Sequence, residues 1–158
     1  MANAVPAGPY GRVLVATDFS DGAALAVRTA RALGLFDTAK VFVLHAFDAP
    51  AQGMMLRAST TTERLKDYIA EEKERARADM ADFLREVELR PGGRILELVE
   101  SSVAHTIRAC ARQRRADLVV MGTGGRTGFE RLMLGSVAAE VLRDAEEDVL
   151  AVPAVKRR

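Results

Sequence analysis

A short apolar run that ends in glycines is the feature that most constrains the fold of this chain. Residues 117–121 read Asp-Leu-Val-Val-Met, which is typical of a strand buried on both faces of a parallel sheet. Gly122 and Gly125 follow this run, and nine residues then separate Gly125 from Gly135 and Ser136. Because parallel strands need crossover connections, the run predicts an α/β chain with helices between its strands.

The glycines indicate chemistry as well as a turn. Gly122 and Gly125 lack a Cβ and tolerate positive φ, so backbone N–H groups beside them can approach an anion. Ser136 stands just before an apolar run and is placed as a helix N-cap would be, and a helix N-terminus attracts phosphate. A tight turn is the simpler explanation for any one glycine. Together the residues predict a phosphate cradle at the carboxyl edge of the sheet.

Two familiar phosphate-binding motifs do not fit this segment. A Walker loop needs a Lys followed by Ser or Thr after its second glycine, whereas Gly125 is followed by Arg126 and Thr127. A dinucleotide fingerprint opening at Gly122 would need glycine where Thr127 stands, and it belongs to the first strand–helix turn of its fold. The sequence therefore favours a different kind of nucleotide site.

Apolar runs alternate with helical patterns along the whole chain, which predicts a doubly wound parallel sheet in a single domain, 1–158, with its core at about 10–155. Residues 48–59 show no regular period and predict a loop, a candidate lid. The predicted strands lie at about 12–18, 40–47, 94–100, 117–122 and 148–153, and the predicted helices at about 20–33, 61–88, 103–114 and 135–142.

Composition and charge exclude several classes of protein. The chain has 158 residues, of which 49% are hydrophobic, enough for one well-buried core. Its net charge of +1 argues against a nucleic-acid partner, so the basic clusters within 112–115 and 156–158 are interpreted as solvated surface. No apolar run reaches the roughly 20 residues of a membrane span, and no secretory signal is apparent. We expect a cytoplasmic protein with no membrane partner.

The glycine spacing resembles the motif of the universal stress proteins, whose nucleotide-binding members carry Gly, two residues, Gly, nine residues, then Gly and Ser or Thr. Gly122, Gly125, Gly135 and Ser136 match it fully. The resemblance spans nearly the whole chain. Residues 12–20 are similar to the family's first strand and acidic turn, and 41–47 to its second strand. The fourth strand, the last helix and the closing strand are matched by 117–122, 135–142 and 148–153. It implies a five-stranded parallel sheet, Rossmann-like, in the order three, two, one, four, five. It also implies the ATP-binding branch, since other members lack the glycines.

Carried across residue by residue, the resemblance implies a site for ATP or AMP, with Mg²⁺ or Mn²⁺ bound through the phosphates. Asp18 is also placed as an Asx turn or a helix start would need. The implied adenosine contacts are Ala16, Thr17, Asp18 and the backbone of Ala46, and the implied ribose and phosphate contacts are Met121, Gly122, Gly125, Gly135, Ser136 and Val137.

Other reactive side chains have simpler explanations. His45 is expected to be a hydrogen-bonded residue of the second strand, and His105 a capping or exposed residue at a helix start. Cys110 is expected to be a buried, inert thiol. Arg126 and Arg131 fall inside the nine-residue interval, where they are equally compatible with phosphate contacts and with ordinary surface positions.

Three functions stay open on the sequence. The favoured one is a stress-response module in which an adenine nucleotide regulates association with a protein partner. The second is a slow ATP hydrolase, for which no residue set supplies an evident nucleophile. The third is a nucleotide-independent scaffold. The resemblance also implies a homodimer through the terminal strand, around 149–152, whose outer edge would invite pairing.

Overall fold

The computed structural model describes residues 8–58, 61–124 and 134–153. Its five strands are β1 (Arg12–Ala16), β2 (Lys40–Phe47), β3 (Gly93–Leu98), β4 (Leu118–Gly122) and β5 (Asp148–Val152). Its five helices are α1 (Asp21–Ala32), α2 (Gln52–Arg57), α3 (Thr62–Glu86), α4 (Val103–Arg114) and α5 (Ser136–Asp144).

The strands form one sheet in the order β3-β2-β1-β4-β5, and every neighbouring pair is parallel. Helices cover both faces, so the predicted α/β class and strand order are confirmed. Alternation along β1 sends Val13 and Val15 to the face covered by α1 and α3, and Leu14 and Ala16 to the face covered by α4 and α5. Both sets are buried, which explains why the central strands are apolar without interruption.

Helix α1 lies close to the sheet because its buried residues are small. Ser20 is its N-cap, and the Ser20 hydroxyl accepts from the N–H of Ala23 at 3.3 Å. The buried residues of α1 are Gly22, Ala23, Ala24, Ala26, Val27 and Ala30. With so little side chain between helix and strands, the backbone of α1 approaches β4 closely.

Helix α3 is long but only its second half is buried. The buried residues Ala76, Met80, Phe83 and Leu84 recur at the spacing of one helix face. Arg31 fastens the end of this helix to α1, because its guanidinium donates to the carbonyls of Val87 and Glu88. The predicted boundaries of the helix, 61 and 88, differ from the observed ones by one or two residues.

The prediction of a loop over residues 48–59 is wrong in its centre, because Gln52–Arg57 forms helix α2. A six-residue helix is too short to show a helical period in sequence, so its pattern resembles that of a loop. The N–H of Ala51 donates to the Tyr68 hydroxyl oxygen at 3.2 Å, which ties the start of α2 to α3. Within the described residues, none of the helices combines the length and hydrophobicity that a membrane span needs.

Candidate functional site

A crevice opens at the carboxyl edge of the sheet, where β1 and β4 part. Their pairing ends at Val15 and Val120. Beyond that point β1 stays with β2 through the N–H of Thr17, and β4 stays with β5 through Gly122. The chain leaves β1 for a helix on one face and β4 for a helix on the other, as α/β folds do at their usual ligand site.

This crevice contains a cavity of about 420 Å³. Nine of the ten predicted site residues line it, and the tenth, Gly125, lies outside the described residues. The lining predicted residues are Ala16, Thr17, Asp18, Ala46, Met121, Gly122, Gly135, Ser136 and Val137. Segments far apart in sequence therefore meet at one place, as the predicted cradle requires.

The acidic turn after β1 is held by its own side chains. The Thr17 hydroxyl accepts from the N–H of Phe19 at 2.9 Å. The Asp18 Oδ1 accepts from the N–H of Ser20 at 3.1 Å and from its hydroxyl at 2.5 Å. Asp18 therefore makes the Asx turn that the sequence offered as an alternative to ligand binding. It also lines the cavity. Among the described lining residues it is the one that carries a charge.

Ser136 does not cap α5, contrary to the prediction. It is the first residue of the helix, and the N-cap is Gly135, which makes no side-chain capping bond. The other capped helices differ from α5. The N-caps of α1, α3 and α4 are Ser20, Thr61 and Ser102, and the hydroxyl of each accepts a hydrogen bond from a backbone N–H. No side-chain cap covers the N-terminus of α5, and its first residues, 136–138, line the cavity.

Close packing of backbones explains two of the motif glycines. A Cβ on Gly122 would lie 2.9 Å from the carbonyl carbon of Gly22, and a Cβ on Gly135 would lie 2.8 Å from the carbonyl oxygen of Thr123. That oxygen accepts the N–H of Gly135 at 2.8 Å. Gly122 does not use the positive φ that glycine tolerates. Its missing Cβ makes room for α1, not for a left-handed turn.

The sequence did not single out the apolar wall of the cavity. Val103 and Ile107 of α4 line it together with Leu44 and Ala138. These residues carry no chemical signature in sequence, because an apolar residue that faces a cavity has the same pattern as one in the core. The one usable signal was the position of Val103 in the first turn of α4, which in this fold lies at the carboxyl edge of the sheet.

The remaining candidates behave as expected where they are described. His45 lies in β2, and its Nδ1 is 2.8 Å from the carbonyl oxygen of Thr17. His105 is exposed near the start of α4. Cys110 is buried, and burial raises the pKa of its thiol despite the opposing effect of Arg114. Arg126 and Arg131 fall in the interval outside the described residues.

The fold, the crevice and the glycine spacing agree with a match to a known family model over residues 9–153, that of the universal stress protein family. The chain belongs to this family. It is 33% identical over 150 residues to universal stress protein MJ0531 of Methanocaldococcus jannaschii, an alignment that covers 94% of this chain and 85% of that protein. It is 27% identical over 150 residues to universal stress protein Sll1388 of Synechocystis, with 90% and 97% covered.

Solved structures give the same fold. The structure of hypothetical protein MJ0577, from M. jannaschii, superposes with a TM-score of 0.72 at 23% identity, over 95% of this chain and 100% of that one. A universal stress protein solved in complex with cAMP superposes with a TM-score of 0.56 at 23% identity, over 92% and 98%. These similarities support the fold described above.

Proposed function

We propose that this universal stress protein binds an adenine nucleotide, ATP or AMP, and uses it to regulate its association with a protein partner in the cytoplasm. The observation that carries the proposal is the convergence of nine predicted residues, from segments far apart in sequence, on one cavity at the carboxyl edge of the sheet. The cavity lies at the point where β1 and β4 part, the usual ligand position in such sheets.

The cavity offers surfaces that suit both the base and the phosphates of a nucleotide. Leu44, Val103 and Ile107 offer an apolar surface for a planar base. Ser136 and Val137, at the N-terminus of α5, offer backbone N–H groups and the positive end of the helix dipole for phosphates. A protein of the same fold has been solved with a cyclic adenine nucleotide, which supports this class of ligand.

A divalent cation fits the proposed site through the phosphates. The described residues contain no group of three or more His, Cys, Asp or Glu side chains that could hold a metal. The cavity does hold oxygen donors that Mg²⁺ or Mn²⁺ accepts, in Asp18, Thr17 and Ser136. When bound, the cation would neutralise phosphate charge beside the carboxylate of Asp18.

Regulation is favoured over fast chemistry. Phosphoryl transfer needs a positioned nucleophile and strong stabilisation of the transferring phosphate. Among the described lining residues, Asp18 is the one carboxylate, and its Oδ1 is already occupied by two hydrogen bonds from Ser20. A slow ATP hydrolase is therefore the second candidate. Turnover that survives repeated purification and disappears in an Asp18→Ala variant would establish it.

Native mass spectrometry of freshly purified protein tests the proposal first. We expect a mass excess of one nucleotide per chain, and denaturation should release ATP or AMP for identification. Calorimetric titration of nucleotide-free protein with ATP and Mg²⁺ gives the affinity. If the protein purifies empty and also fails to bind added ATP, AMP and cAMP, the nucleotide proposal is overturned and the scaffold function takes its place.

We also propose a homodimer through β5, the terminal strand of the sheet. Leu150 and Ala151 are only half-buried in the chain as described, so this strand has apolar surface left to cover. Sedimentation should give the mass of two chains, and Leu150→Lys should give the mass of one. A single-chain mass for the unchanged protein at micromolar concentration would overturn this proposal.

A further inference from the structure

Phe19 has a backbone conformation that a bulky residue seldom adopts. Its φ is +64°, in the left-handed region where crowding of the Cβ disfavours residues other than glycine, asparagine and aspartate. Two other described non-glycine residues have positive φ, Glu88 and Arg115, but both lie at the ends of helices, where this conformation is common. Phe19 instead precedes a helix and follows β1, so it needs another explanation.

The ring of Phe19 is held from two sides. It stacks on the ring of His45, with centroids 4.1 Å apart and planes inclined by 29°. It also meets the ring of Phe83 of α3 at 5.7 Å. The backbone N–H of Phe19 is fixed in turn by the Thr17 hydroxyl. These contacts help to offset the unfavourable φ, because each pair of packed aromatic rings stabilises the conformation in which it forms.

His45 holds the same turn through a second contact. Its Nδ1 is 2.8 Å from the carbonyl oxygen of Thr17, so one imidazole ring supports both Phe19 and Thr17. Thr17 and Asp18 line the cavity, whereas neither His45 nor Phe19 is among the described residues that line it. The two aromatic residues are therefore placed behind the turn, on the side away from a ligand.

We propose that His45 and Phe19 are positioning residues: their stacked rings hold residues 17–20 in the one conformation that presents Thr17 and Asp18 to the nucleotide. This inference rests on the proposed function for its ligand, but not for its geometry. A turn that is ordered before binding loses less conformational entropy when the ligand arrives. Loosening it should weaken binding without removing any atom that touches the nucleotide.

Four variants separate the parts of this arrangement. Phe19→Gly relieves the crowding at positive φ but removes the ring, and Phe19→Tyr keeps the ring. His45→Phe keeps the stack and loses the hydrogen bond, and His45→Gln loses the stack while keeping polar atoms. Met80→Ala, a buried change on α3 outside the cavity lining, is the matched control for general loss of stability.

Two measurements are made on each folded variant: the dissociation constant for ATP with Mg²⁺ by calorimetry, and hydrogen exchange of the Phe19 and Ser20 amides without nucleotide. We expect Phe19→Gly and His45→Gln to weaken binding by about tenfold and to lose protection at both amides, since the turn must then be ordered on binding. Phe19→Tyr should have the same dissociation constant and the same amide protection as the unchanged protein. His45→Phe should lie between these results.

The two readouts keep the inference and the proposed function apart. If the unchanged protein binds no adenine nucleotide, the proposed function fails, and the exchange measurement still decides whether the rings order the turn. If both amides remain protected in Phe19→Gly and His45→Gln, the inference is overturned. It is overturned equally if Met80→Ala loses as much affinity and protection as they do, because the effect would then be general destabilisation.

Discussion

The backbone of Gly122, at the end of β4, lies against the backbone of Gly22, in the first turn of α1. A Cβ on Gly122 would be 2.9 Å from the Gly22 carbonyl carbon and 3.0 Å from its oxygen. Backbone atoms cannot move aside as a flexible side chain can, so any larger residue must separate the strand from the helix. The first motif glycine thus serves the packing of the crevice wall as well as any ligand.

We predict that Gly122→Ala lowers the free energy of unfolding by about 1–3 kcal/mol, the usual cost of overpacking a tight contact. Nucleotide affinity should fall with it, because α1 begins directly after the turn that carries Thr17 and Asp18. Urea unfolding and calorimetric titration measure the two effects.

Gly124→Ala is the matched control, since no described atom lies within 4 Å of a Cβ at Gly124. Its free energy of unfolding should stay within about 0.5 kcal/mol of the unchanged protein, as for most open surface positions. Equal stability of the Gly122 and Gly124 variants would show that the contact between Gly122 and Gly22 is not tight.

The fold was predictable because its signals are local. The apolar run of β4 and the glycines after it predicted a strand end, and the period of α4 gave its bounds, Val103–Arg114, without error. The strand order came from the family resemblance, because periodicity carries no information on which strands are neighbours. Helix α2 was missed because six residues show no period.

The lining of the cavity was predictable at the residues that the glycine motif or the family resemblance supplied, and not elsewhere. Val103 and Ile107 reach the cavity only because α4 packs against the sheet, which sequence spacing does not reveal. The role of Phe19 depends on a positive φ and on a ring from β2, neither of which has a sequence signal. Ser136 was misplaced as a cap by one position, within the usual uncertainty of helix ends.

Because Ser102 caps its helix and Ser136 does not, the two serines can be compared to separate helix capping from ligand binding. Ser102 caps α4, and its hydroxyl accepts from the N–H of His105 at 3.0 Å, so Ser102→Ala should lower the free energy of unfolding by about 1 kcal/mol. Ser136 makes no capping bond, so Ser136→Ala should leave stability within about 0.5 kcal/mol. It should instead weaken nucleotide binding, because Ser136 lines the cavity.

Thermal unfolding without nucleotide, followed by calorimetric titration, separates the two serines. A stability loss in Ser136→Ala as large as that in Ser102→Ala would mean that Ser136 supports the helix and not the ligand.

Asp18→Asn should make ATP binding less dependent on Mg²⁺. Asparagine keeps an oxygen for the Asx turn with Ser20, but it removes the negative charge from the cavity wall. Without divalent cation we expect the variant to bind ATP about fivefold more tightly than the unchanged protein, which corresponds to about 1 kcal/mol, the size of one charge contact in water-like surroundings.

Titrations with ATP in EDTA and in Mg²⁺ measure this dependence. Adenosine serves as the comparison ligand, since it carries no phosphate. Any change in its affinity measures the contact of Asp18 with the nucleoside or the shape of the turn, and the additional change seen with ATP measures the effect of the charge on the phosphates. If Asp18→Asn changes adenosine binding as much as ATP binding, the charge of Asp18 does not act on the phosphates.

Cys110 should make the protein less stable in alkaline solution. Burial raises the pKa of this thiol above its ordinary value of 9.0, because the thiolate loses its hydration inside the core. The unfolded chain then releases the proton at a lower pH than the folded chain. The stabilisation is complete below the ordinary thiol pKa and is lost as the pH rises through the folded value.

Urea unfolding between about pH 7.5 and about pH 10 measures this loss, with Cys110→Ala as the comparison. The variant starts less stable because it leaves a small cavity, but its stability should fall less steeply with pH. Some slope will remain in both proteins, since burial and the hydrogen bond to Asp148 also raise the pKa of Tyr10. Identical slopes would mean that the thiol titrates alike in the folded and unfolded chain, and that the core around Ile107 and Ala111 admits water to Cys110.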